Sequence, residues 1–179
     1  MMKFKFVELI KSDLARITTP TLVNFVKTYL NPHSVCFRYL VNLRILQAAK
    51  HSNLFCRLFI GIPSHIAFLI REIRYDINIP TNISIGQGMQ IVHRGGIFLN
   101  VRSIGDNFTV FQNVTCGKRY AKDMVPIIGN DVTICTCAVI CGGVVVEDGW
   151  TVGANSYVDK NVLKQTVVAG LPAKVIKKK

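Results

Sequence analysis

Acidic and aromatic residues are both scarce in this chain of 179 residues. Lys and Arg number 22 against 10 Asp and Glu, which gives a formal net charge of +12, and aromatic residues make up 9%. Such a basic chain indicates an anionic partner: nucleic acid, an acidic membrane or a phosphorylated small molecule. We do not expect nucleic acid, because no stacking aromatics accompany the basic residues in an RNA-binding pattern. Half of the residues are hydrophobic, which excludes a disordered chain.

Signals for secretion and for metal binding are also missing. The N-terminal sequence MMKFKFVELIKSDLARI lacks the continuous apolar core and the cleavage site of a signal peptide, which predicts a cytoplasmic protein. Of the six cysteines, Cys135 and Cys137 are too close together for a zinc finger, and no second Cys or His pair completes a site. We therefore expect reduced, buried thiols and no metal.

Residues 1–78 are predicted to form an α-helical region, because apolar residues recur at helical spacing. Eleven Lys/Arg against four Asp/Glu give this region a net charge of +7. A membrane span between Leu54 and Ile70 is not expected, because Arg57, Pro63 and His65 interrupt it. Basic, apolar helices fit peripheral contact with the inner membrane surface. The alternative is an ordinary helical cap whose Lys and Arg side chains are solvated.

A second pattern begins at residue 79, where an apolar residue recurs at every sixth position through residue 158, with one extra residue and one non-repeating stretch (117–127). The members are Ile79, Ile85, Ile91, Ile97, Ile104, Val110, Cys116, Ile128, Ile134, Ile140, Val146, Val152 and Val158. A period of six indicates a short strand plus a turn, and three units close a coil. Coils then stack at about 4.8 Å. The pattern predicts a mainly β protein with a parallel β-helix over residues 79–168, followed by a basic tail at 169–179.

The repeats resemble those of the hexapeptide-repeat acyltransferases, whose fold is a left-handed parallel β-helix. The segments that carry the resemblance are SIGQGMQIVHRGGIFLN (84–100), IGDNFTVFQNVTCG (104–117), PIIGNDVTICTCAVICGGVVVEDGWTVGANSYVDKNV (126–162) and VVAGLPAKVIKKK (167–179). The chain is most similar to the serine acetyltransferase branch, and within it to relatives that O-acetylate polysaccharides of the capsule. The resemblance implies an O-acetyltransferase with acetyl-CoA as donor, and a homotrimer with active sites between neighbours.

The resemblance also implies a catalytic base. His93 matches the histidine of the family motif I-x-H-x-x-G-I and lies two positions after the inward Ile91, so we expect it to project outward. An imidazole exchanges protons near neutral pH, which suits a base that takes the acceptor hydroxyl proton during direct attack on the thioester. Asn113 or a backbone carbonyl could orient the ring. The N–H of Gly142 is the candidate oxyanion donor.

For acetyl-CoA, the family places the pantetheine arm along the coil edges. The matching positions here are Gly117, Thr136 and Ala154. Lys118 and Lys174 are the candidate cations for the phosphates. The alternative is that the glycine serves turn geometry only and that the lysines are solvated.

Three acidic or basic groups of serine acetyltransferases are missing. At the corresponding positions this chain has apolar residues: Val92 directly before the catalytic histidine, Val125 directly before Pro126, and Ile77 three residues before Pro80. Asp76 lies one residue from the last of these. The losses predict a neutral acceptor, a sugar hydroxyl of a capsule, lipopolysaccharide or exopolysaccharide precursor. The alternatives are a serine O-acetyltransferase of cysteine biosynthesis and a non-catalytic β-helix scaffold.

Overall fold

The N-terminal part of the chain is helical. The computed structural model describes residues 2–50, 52–161 and 166–178, with side chains from residue 6 onward. The helices are α1 (Met2–Ala15), α2 (Leu22–Leu30), α3 (Val35–Ala49), the short α4 (Leu54–Cys56) and α5 (Ile62–Tyr75), with a π-helical turn (Arg57–Gly61) between the last two. Thr21 caps α2, since its hydroxyl accepts a hydrogen bond from the Asn24 N–H at 3.2 Å.

The rest of the chain is a coil of short strands. They are β1 (Ile77–Asn78), β2 (Ser84–Ile85), β3 (Gln90–Ile91), β4 (Ile97–Leu99), β5 (Ser103–Ile104), β6 (Thr109–Val110), β7 (Thr115–Gly117), β8 (Ile127–Ile128), β9 (Thr133–Ile134), β10 (Val139–Cys141), β11 (Val145–Val146), β12 (Thr151–Val152), β13 (Tyr157–Val158), β14 (Thr166–Gly170) and β15 (Ala173–Lys178). Up to β13, every third strand joins the same sheet, and β14 and β15 extend the third sheet. Sheet A has the order β1-β4-β7-β10-β13, sheet B has β2-β5-β8-β11, and sheet C has β3-β6-β9-β12-β14-β15.

The stacking of the coils confirms the predicted parallel β-helix. Val146 pairs with Ile128, Val152 with Ile134, and Val158 with Ile140, each in a parallel register. All six side chains are buried. Because each coil covers the apolar side chains of the coil before it, the core is a continuous aliphatic column.

A second buried column lies at an inner corner, one residue before the strands of sheet C. It contains Met89, Phe108, Val132 and Trp150, all 1% exposed or less. The six-residue pattern does not predict this column, because its members differ widely in size. Trp150 belongs to it, which explains a large aromatic residue at a position where the repeat favours small ones.

Helices α1 and α3 cover the N-terminal end of the β-helix. Ser12 Oγ accepts a hydrogen bond from the Gly88 N–H at 3.0 Å, and Gln47 Nε2 donates one to the Ile83 carbonyl at 3.0 Å. A cap is needed here because an uncovered coil end presents unpaired strand groups.

The last segment differs from the predicted basic tail. Its residues form β15, which runs antiparallel to β14, with Ala169 opposite Lys174. Its side chains from Lys174 to Lys178 are exposed. Lys179 lies outside the described residues.

Candidate active site on sheet A

The predicted site residues fall on two edges of the β-helix, on either side of sheet A. His93, Asn113, Thr136 and Ala154 follow strands of sheet C and precede strands of sheet A. Gly117 ends a strand of sheet A, and Lys118 and Gly142 follow strands of sheet A; all three precede strands of sheet B. We call these the histidine edge and the loop edge. Lys174 lies on β15 at the margin of sheet C, apart from both.

His93 is exposed, as its sequence position predicts. Its ring centroid lies 6.2 Å from that of Phe111, in an edge-on arrangement. The turn that follows requires glycine, since Gly95 has φ 104° and Gly96 has φ 63°. Glycine at these positions lets the chain turn from β3 into β4 directly beside the imidazole.

Asp76 ties this turn to the helical region. It ends α5 in a left-handed conformation with φ 52°, and its Oδ2 accepts a hydrogen bond from the Gly96 N–H at 2.7 Å. Asp76 therefore acts on the backbone beside His93. From the sequence, Asp76 is notable only because it lies one residue from the position of a missing family acid.

Asn113 lies directly under the glycine turn. Its N–H donates to the Gly95 carbonyl at 2.8 Å, and its Oδ1 occupies the space that a Cβ on Gly96 would need. Its Nδ2 donates to Cys137 Sγ at 3.8 Å. These contacts direct the side chain of Asn113 to the glycine turn above and to the next coil below.

Thr136 and Ala154 continue the histidine edge along the later coils. The Thr136 carbonyl accepts a hydrogen bond from the Asn155 N–H at 3.0 Å, so the turns of these coils stack on one another. Thr136 is half-buried and Ala154 is exposed. The edge therefore offers a straight, small-residue surface that begins at His93.

The loop edge is covered by residues 118–126, which interrupt the repeats. Arg119 forms an ion pair with Asp159 at 3.4 Å, and the Tyr120 N–H donates to Asp123 Oδ2 at 3.0 Å. Lys118 is exposed, and its Nζ donates to the Ala121 carbonyl at 3.2 Å. The loop thus keeps cations beside sheet A.

Gly142 lies under this loop with φ 86°, and an added Cβ would lie 3.4 Å from Arg119. Its N–H donates to the Gly117 carbonyl at 2.9 Å. That bond uses the donor that the sequence analysis assigned to an oxyanion. In this structure Gly142 therefore holds two coils together, and its N–H is not available for the oxyanion.

The position of Ile77 corrects the comparison with the family acids. Ile77 is fully buried in the core, so its side chain faces away from sheet A's outer surface. The neighbouring Asn78 is exposed instead, and its Nδ2 donates to Glu72 Oε1 at 2.5 Å. Burial raises the pKa of Glu72. No pattern in the sequence indicates this pair, which joins α5 to the first strand of the sheet that His93 borders.

The cysteines do not form a metal site or a reactive pair. Among the described residues, no cluster of three or more His, Cys, Asp or Glu side chains is placed to hold a metal ion. Burial raises the pKa of Cys116, Cys135 and Cys141, and for Cys141 the nearby Arg119 opposes this shift. A raised pKa lowers the thiolate fraction that nucleophilic attack needs.

Comparison with known proteins identifies the family. No protein-family model matches the chain. A serine acetyltransferase from Staphylococcus epidermidis (strain ATCC 35984) is 30% identical over 171 residues, which cover 93% of this chain and 70% of the relative. The chain belongs to the serine acetyltransferase family. A serine acetyltransferase from Buchnera aphidicola subsp. Schizaphis graminum is 33% identical over 158 residues, and here the chain spans only 59% of the relative's length.

Solved serine acetyltransferases share the fold. The structure from Vibrio cholerae O1 biovar El Tor superposes with a TM-score of 0.76 at 21% identity, covering 98% of this chain and 67% of that one. The coenzyme A complex from Brucella abortus strain S19 gives a TM-score of 0.76 at 19% identity, covering 99% and 72%. These matches confirm the predicted left-handed β-helix with N-terminal helices.

The comparisons also correct the predicted substrate. The prediction of a sugar acceptor is wrong, because the matched relatives are serine acetyltransferases, the activity that the sequence analysis kept as an alternative. The likeness to the capsule O-acetyltransferases fails for the same reason. The prediction of an acyltransferase of the hexapeptide-repeat superfamily is confirmed by the family.

Proposed function

We propose that the chain transfers the acetyl group of acetyl-CoA to the hydroxyl of serine. The observation that carries the proposal is the match to a serine acetyltransferase over 93% of this chain, within which His93 is the exposed histidine of the β-helix. A structural neighbour in complex with coenzyme A supports acetyl-CoA as the donor. As a serine O-acetyltransferase, the chain would serve cysteine biosynthesis.

His93 acts as the general base in this proposal. It accepts the proton of the acceptor hydroxyl while the oxygen attacks the thioester carbon, the C–S bond breaks, and coenzyme A leaves as the thiol. Transfer is direct in this proposal, and burial, which raises the pKa of Cys116 and Cys141, disfavours either thiol as a carrier of the acyl group. Val92, Val125 and Ile77 are apolar where the family has charged groups, so other groups hold the serine carboxylate and amine.

The donor is proposed to lie along the outer surface bounded by the histidine edge and the loop edge. Small residues at Gly117, Thr136 and Ala154 leave room for the pantetheine arm. Exposed Lys118 borders this surface and suits the phosphates, whereas Lys174, the other predicted cation, lies on β15 apart from both edges. A group other than the Gly142 N–H stabilises the oxyanion, because that N–H already donates to the Gly117 carbonyl.

A homotrimer with sites between neighbouring subunits stays a proposal. In its support, His93 is exposed on one edge and Phe98 is 43% exposed on the adjoining sheet, which leaves an apolar surface beside the base. Light scattering on the purified chain would give about 60 kDa for a trimer of 20.0 kDa subunits. A mass of a single chain at assay concentration would contradict it.

The test of the function is thiol release from acetyl-CoA in the presence of L-serine. His93→Ala should lower kcat/KM by about 10²- to 10⁴-fold, the usual contribution of a general base. His33→Ala is the matched control, since His33 is an exposed histidine of the helical region and should leave the rate unchanged.

Two results would overturn the proposal. Retained coenzyme A binding without turnover of serine would exclude serine as the acceptor. Absence of coenzyme A binding would exclude the transfer itself and favour the non-catalytic scaffold.

A further inference from the structure

The helix that runs from Leu54 to Tyr75 is unusually apolar for its exposure. Its 22 residues comprise α4, the π-helical turn and α5, with a mean hydropathy of 1.5 in its most apolar part, of which only 6% is buried. We call it the outer helix. By length and composition alone it could cross a membrane, which the sequence analysis did not expect.

One side of the outer helix is fixed to the protein. Phe68 is 3% exposed, and its ring centroid lies 4.9 Å from that of Tyr39 on α3. Asn42 Nδ2 also donates to the Ser64 carbonyl at 3.4 Å. A helix held along its length in this way cannot be surrounded by lipid, so only its other side is free to meet a partner.

That free side is the apolar one. Ile62, Ile66, Leu69 and Ile73 follow each other at spacings of four, three and four residues, and they are between 43% and 84% exposed. In water an amphipathic helix turns its apolar stripe to the core and its polar side outward. On α5 the stripe of Ile62, Ile66, Leu69 and Ile73 is exposed instead, which indicates a surface that a partner covers.

The exposed apolar surface continues into the first half of the helix. Its members there are Leu54, Phe55, Leu58, Phe59 and Ile60. The rings of Phe55 and Phe59 lie 4.5 Å apart. Exposed patches of this extent mark interaction sites.

Positive charges predominate around this surface, and its acidic neighbours, half-buried Glu72 and exposed Asp76, lie at the C-terminal end of the helix. From Leu54 to Ile70 the sequence contains no Asp or Glu, whereas Lys50, Arg57 and Arg74 are exposed. Lys50 and Arg57 line an open groove of about 500 Å³ together with Leu58. An apolar helix face bordered by cations matches a lipid bilayer with anionic headgroups.

We propose that the outer helix docks its apolar face on an anionic membrane surface, lying in the plane of the bilayer. Its aliphatic and phenyl side chains enter the headgroup boundary, and the cations contact lipid phosphates. Pairing of two outer helices along this face is disfavoured, because it would bring the exposed Arg57 and Arg74 side chains of the two copies close together. The comparisons with serine acetyltransferases give no support to a membrane location, so the proposal stands on this surface alone and is independent of acetyl transfer.

The test is sedimentation of the full chain with vesicles of phosphatidylcholine alone or with 30% phosphatidylglycerol. We expect binding to the anionic vesicles, a loss of at least tenfold in the partition coefficient for Ile66→Asp/Ile73→Asp, and about a fivefold loss for Arg57→Glu. Matched controls are Ile176→Asp and Lys160→Glu, which change exposed residues of the β-helix region and should bind like wild type. Circular dichroism would verify that each variant is folded.

Three outcomes would overturn the proposal. Equal binding to both vesicle types would remove the role of anionic lipid. Equal losses in Ile176→Asp and in the double variant would remove the role of the outer helix. Absence of vesicle binding, together with a particle mass by light scattering that Ile66→Asp/Ile73→Asp reduces, would show that a second copy covers the face.

Discussion

Arg44 joins the helical region to the first coil, and its removal gives a sharp test of the fold. Its side chain is 1% exposed. Nε donates to Asp13 Oδ2 at 2.9 Å, one terminal nitrogen donates to the Ile85 carbonyl at 2.9 Å, and the other donates to the Gly86 carbonyl at 2.6 Å and to Asp13 Oδ1 at 3.1 Å. Asp13 Oδ1 also accepts the Met89 N–H at 2.8 Å. One guanidinium therefore holds α1, α3 and a turn of the β-helix.

Arg44→Met keeps an unbranched apolar stem and removes all four of these bonds. It leaves Asp13 as a buried carboxylate without its cation, and two carbonyls without their donor. Loss of one partner of a buried ion pair costs about 3–5 kcal/mol, against a typical total stability of about 5–15 kcal/mol. We expect a loss in that range, measured as the free energy of unfolding by urea and followed by circular dichroism.

The pH dependence of this loss identifies its cause. Burial raises the pKa of Asp13, and Arg44 opposes this shift, so the variant should raise the pKa further. A folded-state pKa above the unfolded one means that the folded state binds more protons, and stability then falls as pH rises from about 4, where an unfolded Asp titrates. The deficit of Arg44→Met should therefore be smaller at pH 5 than at pH 8.

Two further variants make the test decisive. Lys11→Met removes the exposed pair with Glu8, whose side chains are 54% and 65% exposed, and should have little effect on stability. Asp13→Leu combined with Arg44→Met should recover part of the loss, because no uncompensated charge remains buried. A loss below about 1 kcal/mol in Arg44→Met, or a deficit that does not change with pH, would refute the reasoning.

Two other predictions concern the histidine edge and the thiols. Gly96→Ala should lower the melting temperature more in wild type than in an Asn113→Gly background. In both backgrounds the new Cβ strains the left-handed backbone, but only in wild type does it also collide with Asn113 Oδ1. Equal losses of melting temperature in the two backgrounds would exclude the collision. Iodoacetamide at neutral pH should modify exposed Cys137 well before Cys116, whose thiol is buried with a raised pKa. Peptide mass spectrometry measures the order, and equal rates in the native protein would contradict it.

The β-helix could be predicted from the sequence because its packing is nearly local. Each aliphatic residue contacts the equivalent residue of the next coil, so the period alone fixes which side chains stack, as the pair Ile134 and Val152 shows. The corner column was not predictable in this way. Trp150 fills a space that Phe108 and Val132 shape from earlier coils, and no single repeat contains that information.

The orientation of the helices could not be predicted from their periodicity. A stripe at Ile62, Ile66, Leu69 and Ile73 normally indicates the buried face of a helix, yet here it is the exposed one. The buried ion pair of Arg44 with Asp13 links residues 31 positions apart. Such a contact depends on how three elements meet, and neither residue has a local signal for it.

The error in the acceptor came from three positions that lack the family's groups, Val92, Val125 and Ile77, and the last of these was found by counting residues to Pro80. The structure shows why the count misleads, since strand β1 turns Ile77 into the core and Asn78 outward. The polar groups on that side of the site are therefore Asn78 and its partner Glu72, together with Asp76 on the Gly96 N–H. Loss of an acid at one position in the sequence does not mean that the surface beside His93 is neutral, because side-chain direction decides which groups an acceptor meets.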